Sequence, residues 1–342
     1  MAELIKNLCL INGVSGNEHE VRRYILGQIK DKADEITIDS MGNIIALVKG
    51  NNHDKRIMAV SNIDECGFIV SGVTDKGYLK IKNVGKIDDR VIISKKVLIR
   101  DKVSGVIGMK AIHVQKKSER ESTVAVSDLF VDIGASSKKS ALGKVNLGDY
   151  VSFDAQFNDN GTTIFAKALD RMGCVSLISA MGKKYEYDTY FVFSVQREVA
   201  CRGAAVAAHR INPHIVISVD TIESADMYGT DEKNINAKAG MGAVISMADK
   251  SVINNRPLYE RIFKTAQKHK ISVQAGNNIL GMSMGGAAQS AADGAVVCTV
   301  SIPCRYSHTP LCMMNKNDIY SSSKLLSAIL EEIGEITNGI IK

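Results

Sequence analysis

The sequence predicts an α/β core, residues 1–70 and 164–342, interrupted by a mostly β, barrel-like insertion over residues 71–163. Two textures carry this reading. On both sides of the insertion, near-continuous runs of Val and Ile alternate with helical periodicity, the pattern of a mixed, mostly parallel sheet covered on both faces. Between them the chain turns to short alternating segments broken by turn signals.

The elements follow in order. Residues 17–33 read as a helix, because Val21, Tyr24, Ile25 and Ile29 share one face and Ser15 or Asn17 can cap the start. Strand-like stretches follow at 36–39, 43–48 and 56–61. Inside the insertion, Asp75-Lys-Gly77 and Asn160-Gly161 are hairpin cues, and the runs 105–108 and 129–133 read as barrel strands. A helix at 171–183, strands at 190–196 and 215–219, a helix at 257–270, a strand at 295–302 and a closing helix at 317–337 complete the chain. The run 276–280 is too rich in Gly and Asn to read as a strand.

Composition narrows the class of protein. With 45% hydrophobic and 23% charged residues, the 342-residue chain is neither disordered nor membrane-spanning, and its longest apolar runs are strand-sized. The net charge of +6 is scattered, and Lys116-Lys117 and Lys138-Lys139 lack the interleaved aromatics of a nucleic-acid platform. No nucleic-acid or membrane partner is expected. The seven cysteines form an odd set without a Cys-x-x-Cys pair, which fits reduced thiols in a cytoplasmic protein. The amphipathic start, with Glu3 and Lys6, does not read as a signal peptide.

In open α/β sheets, sites form beyond the carboxyl ends of the strands. The run at 56–61 ends in Asn62-Ile-Asp64-Glu65, that at 190–196 in Arg197-Glu198, and that at 215–219 in Asp220. Asp170 stands at a helix start, and the run at 295–302 leads to His308. Carboxylates and a histidine arriving from separate elements are the ligands a divalent metal such as zinc takes. Each also has a purely structural reading. Asp170 would be an N-cap, Glu198 and Asp220 strand-end turn residues, and His308 a satisfied loop histidine.

Several blocks in order carry a resemblance over essentially the whole chain. They include Gly13-Val-Ser-Gly16, Asp64-Glu-Cys-Gly-Phe68, Gly105-Val-Ile-Gly108 with His113, and Asp132-Ile-Gly-Ala135. Lys167-Ala-Leu-Asp170, Glu198-Val-Ala-Cys-Arg-Gly-Ala204, Val219-Asp220 and Ile302-Pro-Cys-Arg-Tyr-Ser-His308 complete the series. The chain thereby resembles the glutamyl and deblocking aminopeptidases, di-zinc peptidases that assemble as tetrahedral dodecamers and of which some carry the name endoglucanase. The resemblance implies a zinc-exopeptidase core and an inserted domain that supports assembly into dimers and larger particles. It implies peptide substrates gripped by their N-terminal residue. It also implies that Asp170 bridges two metals, that Glu198 and His308 complete one site, and that Asp220 serves the other. Asp64 resembles the carboxylate that orients a ligand.

Four departures fall at this centre. Asn62 stands where the family has a metal-binding histidine, and an amide oxygen is a weak zinc ligand. Arg197 stands where the family has the glutamate general base, and a guanidinium cannot accept a proton from water. The family's Asp-Asp-Arg stretch is one residue shorter, as Asp170-Arg171, and its Thr-Asp-Ala loop reads Ser283-Met-Gly285. Crowded carboxylates need a compensating cation, which Arg197 can supply.

Three functions are consistent with these residues. The first is a divergent family member whose peptidase activity is impaired or absent, holding one metal ion at most or none. The second is an active metal-dependent aminopeptidase using the single site of Asp170, Glu198 and His308, with Glu65 or a substrate carboxylate replacing the base. The third is a serine hydrolase, because Gly281-Met-Ser283-Met-Gly285 fits a nucleophile elbow and Asp293 and His308 follow in triad order.

Overall fold

The computed structural model describes residues 1–121, 123–278 and 281–340. In chain order the strands are Glu35–Ile38 (β1), Ile44–Val48 (β2) and Asn52–Asn62 (β3), then Gly67–Val73 (β4), Leu79–Val84 (β5), Lys96–Ile99 (β6), Val103–Gly108 (β7), Phe130–Asp132 (β8) and Tyr150–Phe153 (β9). They continue as Asn158–Asp159 (β10), Thr163–Ala166 (β11), Tyr187–Ser194 (β12), Ile215–Glu223 (β13), Ala243–Asp249 (β14), Val273–Asn278 (β15), Val296–Cys304 (β16) and Cys312–Asn315 (β17). The helices are Ala2–Leu10 (α1), His19–Ile29 (α2), Lys117–Arg120 (α3), Lys138–Leu142 (α4) and Gly173–Ala180 (α5). Arg202–Ile211 (α6), Arg256–Lys268 (α7), Met284–Gln289 (α8), Lys316–Glu331 (α9) and Ile333–Thr337 (α10) follow.

Eight strands form the core sheet in the order β1-β2-β12-β3-β13-β16-β14-β15. Its centre, β12-β3-β13-β16, is parallel throughout. These strands carry the uninterrupted apolar runs because both faces are covered. On one face, Ile5, Val21, Ile25, Leu177, Ile262 and Leu326 pack from α1, α2, α5, α7 and α9. On the other, Ala204, Ala207, Ala208 and Met284 pack from α6 and α8 against Met58, Val60, Val192 and Val216. Alanines on α6 and the glycine that opens α5 allow the helices to lie close; a Cβ at Gly173 would fall 2.6 Å from the Val219 carbonyl.

Strands β4–β9 close into a six-stranded antiparallel barrel in the order β4-β5-β8-β7-β6-β9. Phe68, Val97, Ile107, Val131 and Phe153 fill its interior, and Phe68 meets Phe153 edge to face at 5.3 Å. The Asp75-Lys-Gly77 turn joins β4 to β5, with Gly77 at φ +89°. The Asn160-Gly161 turn joins β10 to β11, which pair with β17 in a separate three-stranded sheet.

Three boundaries differ from the sequence expectation. The run 276–280 lies partly outside the described residues, but Val273–Asn278 is a strand. Parallel pairing with β14 overrides the poor propensity of Gly276, whose missing Cβ leaves room for Val244. The helix expected at 171–183 opens as a 3-10 turn at Leu169–Met172 and ends at Ala180, ahead of Gly182 at φ +85°. The closing helix breaks at Glu332, whose carboxylate is held by Lys268 and His269, each at 2.7 Å.

The N-terminal segment is tied to the sheet edge by a fully buried arginine. Arg171 Nη1 donates to the carbonyls of Leu8 (3.0 Å) and Ile11 (2.6 Å), and Nη2 to that of Gly13 (3.1 Å). Its charge is matched by Glu65 at 3.2 Å. Replacing one partner of a buried, hydrogen-bonded pair leaves the others unsatisfied, at a cost of about 3–5 kcal/mol. Arg171→Met should therefore lower the urea midpoint by that equivalent, with the denaturant slope unchanged.

Candidate functional site

A cleft of about 400 Å³ opens at the carboxyl edge of the core sheet and is walled on one side by the barrel. The four parallel strands end here together, so residues far apart in sequence meet. Asp170, Arg197, Glu198 and His308 line it, and Asp220 stands directly behind Arg197. Strand β13 runs on to Glu223, three residues past Asp220, so that Asp220 is a strand residue and not a turn.

Arg197 points inward. Its Nη1 donates to Glu198 Oε1 at 2.5 Å and its Nη2 to Asp220 Oδ1 at 3.1 Å. Burial alone would lower the Arg197 pKa, but Asp220, Glu198 and Asp170 together raise it well above the usual value. Asp220 is otherwise occupied by backbone, accepting from Thr221 N at 3.0 Å and Met284 N at 3.2 Å.

The neighbouring carboxylates have distinct roles. Asp64 is buried and accepts from the Ser15 hydroxyl and from the Glu198 backbone N–H at 2.9 Å, so it positions Glu198. Burial and the charge of Glu198 push the Asp64 carboxyl up. The same two causes push Asp170 up to about 8, against the opposing charges of Arg171 and Arg197. Asn62 donates to the Asp64 carbonyl at 3.1 Å, and its amide oxygen is buried without a hydrogen-bond partner. Burial, with the Arg197 and Lys86 charges, lowers the His308 pKa against the opposing pull of Glu198.

Glu65 is committed elsewhere. It accepts from Gly13 N at 2.8 Å and pairs with Lys167 and Arg171, each at 3.2 Å. Burial would raise its pKa, yet these cations lower it. A carboxylate so neutralised is a poor proton acceptor.

A guanidinium lies between Glu198 and Asp220, and among the described residues no three His, Cys, Asp or Glu side chains are placed to hold one ion. Nor is Asp170 an N-cap: it lies inside the 3-10 turn Leu169–Met172, whose N-cap position is Ala168.

Strained backbone concentrates around this cleft. Ala168, Gln196, Ala200, Cys201 and His308 all adopt positive φ without being glycine, at 53°, 55°, 74°, 53° and 62°. Such conformations cost of order 1–3 kcal/mol each and gather at functional sites. The barrel comes equally close: a Cβ on Gly85 would lie 2.8 Å from Glu198 Oε2.

The serine triad is not assembled. Ser283 is buried, with its hydroxyl 3.4 Å from Thr299 Oγ1 and its N–H on Asp249. Asp293 is engaged at the surface by Asn212 at 2.7 Å, while His308 faces Glu198, Arg197 and Lys86. Of the elbow pattern, Gly281 and Met282 line the cleft, while Gly285 lies in α8, where a Cβ would fall 2.8 Å from Val297 Cγ1.

Lys86 escaped the sequence reading because nothing local marks a barrel loop that reaches the core. Lys167 and Arg171 flank Asp170 in the sequence, but their joint hold on Glu65 depends on a contact across 102 residues in the case of Lys167.

Fold and cleft together define an aminopeptidase scaffold. A TET aminopeptidase from a marine-sediment Thaumarchaeota archaeon superposes with a TM-score of 0.95 at 29% identity, covering 99% of this chain and 98% of that one. Pyrococcus horikoshii TET1 peptidase superposes with a TM-score of 0.86 at 31% identity, covering 97% and 99%. A putative aminopeptidase of Acetivibrio thermocellus is 37% identical over 330 residues, 95% of this chain and 97% of the relative. Residues 42–325 match the M42 glutamyl aminopeptidase family model, and the chain belongs to that family.

One rim of the cleft is the loop between β13 and β14, from which Asn236 faces inward. Asp226 pins it, accepting from Arg305 Nε at 2.7 Å, Arg305 Nη2 at 2.8 Å and Ala239 N at 2.9 Å. Burial would raise the Asp226 carboxyl, but these donors bring it from 3.8 to about 2. The depressed value means the pairing is fully stabilising above about pH 4 and is lost as pH falls through about 2. The stability gap between wild type and Asp226→Asn, read from urea midpoints, should be about 1–2 kcal/mol at pH 7 and close between pH 4 and 2. No transmembrane helix competes with this description, since none among the described residues is long and apolar enough to cross a membrane.

Proposed function

We propose that this chain is a family member that retains the peptide cleft while its peptidase activity is impaired or absent. One observation supports the reading above the rest. Arg197, at the position the family resemblance gives to the general base, donates to Glu198 and Asp220, two of the expected metal ligands. A permanent cation there removes the proton acceptor and competes for the donors a metal would need. Asn62 adds to this, since its amide oxygen replaces an imidazole. On this reading Asp170, Glu198 and His308 hold one divalent ion at most, zinc or another, and only when Arg197 releases Glu198. Asp64 keeps Glu198 in place.

The cleft itself suits an N-terminal peptide residue, with carboxylates at its base and mixed charge along its walls. The barrel is proposed as the assembly domain of a homo-oligomer in the cytoplasm, since the TET1 peptidase it resembles can assemble into a tetrahedron or a large octahedral shell.

The test is an assay of protein purified without chelators on aminoacyl-arylamides, with zinc, cobalt or manganese added. We expect turnover at least about 10²- to 10⁴-fold below that of a relative with an intact base. Robust turnover abolished by Glu198→Ala would instead establish an active single-site aminopeptidase. Arg197→Glu combined with Asn62→His should raise both bound metal and activity.

A further inference from the structure

We propose that Cys304 and Cys312 form a two-thiolate site for a soft monovalent metal ion of the copper(I) class, set in the wall of the cleft. Cys304 is the last residue of β16 and Cys312 the first of β17. The loop between them is closed by a pair of hydrogen bonds, Arg305 N to Met313 O at 2.9 Å and Met313 N to Arg305 O at 3.0 Å. That register puts Cys304 opposite Met314 and diagonal to Cys312, so both side chains leave the same face.

Both residues line the cleft although each is nearly buried. An ion arriving from the cleft thus meets two thiols that leave one face of the same hairpin. Their other contacts are weak: Cys304 Sγ lies 3.6 Å from the Arg305 carbonyl and Cys312 Sγ 3.8 Å from that of Thr309.

Three arguments select the ligand class. Thiolates are soft donors, which prefer copper(I) over hard ions. Zinc requires about four ligands, and among the described residues no third donor joins the pair in a metal-holding arrangement. A direct disulfide is disfavoured by register. Diagonal partners stand about 7–8 Å apart at Cα, beyond the roughly 7 Å that a disulfide spans without backbone movement. An ion between the sulfurs bridges that gap.

Binding exchanges protons for metal: two thiols and one monovalent ion give a bis-thiolate complex and two released protons, with no change of oxidation state. The site lies in the cleft wall but uses none of Asp170, Arg197, Glu198, Asp220 and His308, so it stands whether or not the chain hydrolyses peptides.

The experiment is an anaerobic titration of the fully reduced chain with copper(I), in competition with a colorimetric copper(I) chelator. We expect one equivalent to be retained per chain. Cys304→Ser and Cys312→Ser should each weaken retention at least about a hundredfold, while Cys66→Ser and Cys201→Ser leave it unchanged. X-ray absorption of the loaded wild-type chain should show two sulfur neighbours, which keeps the test independent of how the variants fold. Absence of retained copper(I), retention unaffected by both serine variants, or a nitrogen neighbour would each overturn the proposal. So would quantitative formation of a Cys304–Cys312 disulfide with oxidised glutathione, which would make the pair a redox couple.

Discussion

Asp64, Asp170, Glu198 and Asp220 are gathered at one sheet edge, and carboxylates at that density cannot all ionise unless cations stand among them. In this chain part of the compensation is internal. Arg197 serves Glu198 and Asp220, while Arg171 and Lys167 serve Glu65 immediately below. The two groups share a logic but not a purpose. The lower one anchors the N-terminal segment through the carbonyls of residues 8, 11 and 13. The upper one fixes the chemistry of the cleft. Asp170 sits between them, and its carboxyl is pushed up to about 8 by burial and by Glu198 because neither cation reaches it with a hydrogen bond among those the structure contains.

Most of the core was readable because its physics is local. Parallel strands covered on both faces must be apolar throughout, so 56–61, 190–196 and 215–219 announced themselves as Val- and Ile-rich runs, and their polar ends marked the cleft. Of the blocks quoted for the family resemblance, those at 64–68, 198–204 and 219–220 stand on those same ends. What stayed hidden depends on distant parts of the chain. Gly276 lies in a strand only because β14 offers it a partner, Glu332 interrupts a helix only because Lys268 and His269 hold it, and Ser283 fits a motif whose other members the fold sends elsewhere. The inward turn of Arg197 was foreseeable from charge crowding alone. The Lys86 approach was not, since it requires knowing which barrel loop faces the core.

The cleft belongs to two bodies. Its floor is the core sheet, but Gly85 and Lys86 reach it from the barrel, and the bare Cα of Gly85 is what lets Glu198 lie where it does. Changes in the barrel are thus felt by a carboxylate of the core without any change in the core sequence. The left-handed residues at 168, 200 and 201 hold the opposite wall in a shape that ordinary turns would not give.

The closure of the barrel also bears on how the chain reaches its native state. Strands β3 and β12 lie side by side, yet the whole of the barrel intervenes between them. A flexible connection of that length carries an entropic cost of closure that must be met before the parallel pair can form. Pairing of Phe68 with Val151 places the barrel's entrance and exit on adjacent strands, about 5 Å apart. Once the barrel is shut, the core experiences it as a short bridge, and the central pairing of the sheet becomes kinetically near rather than remote.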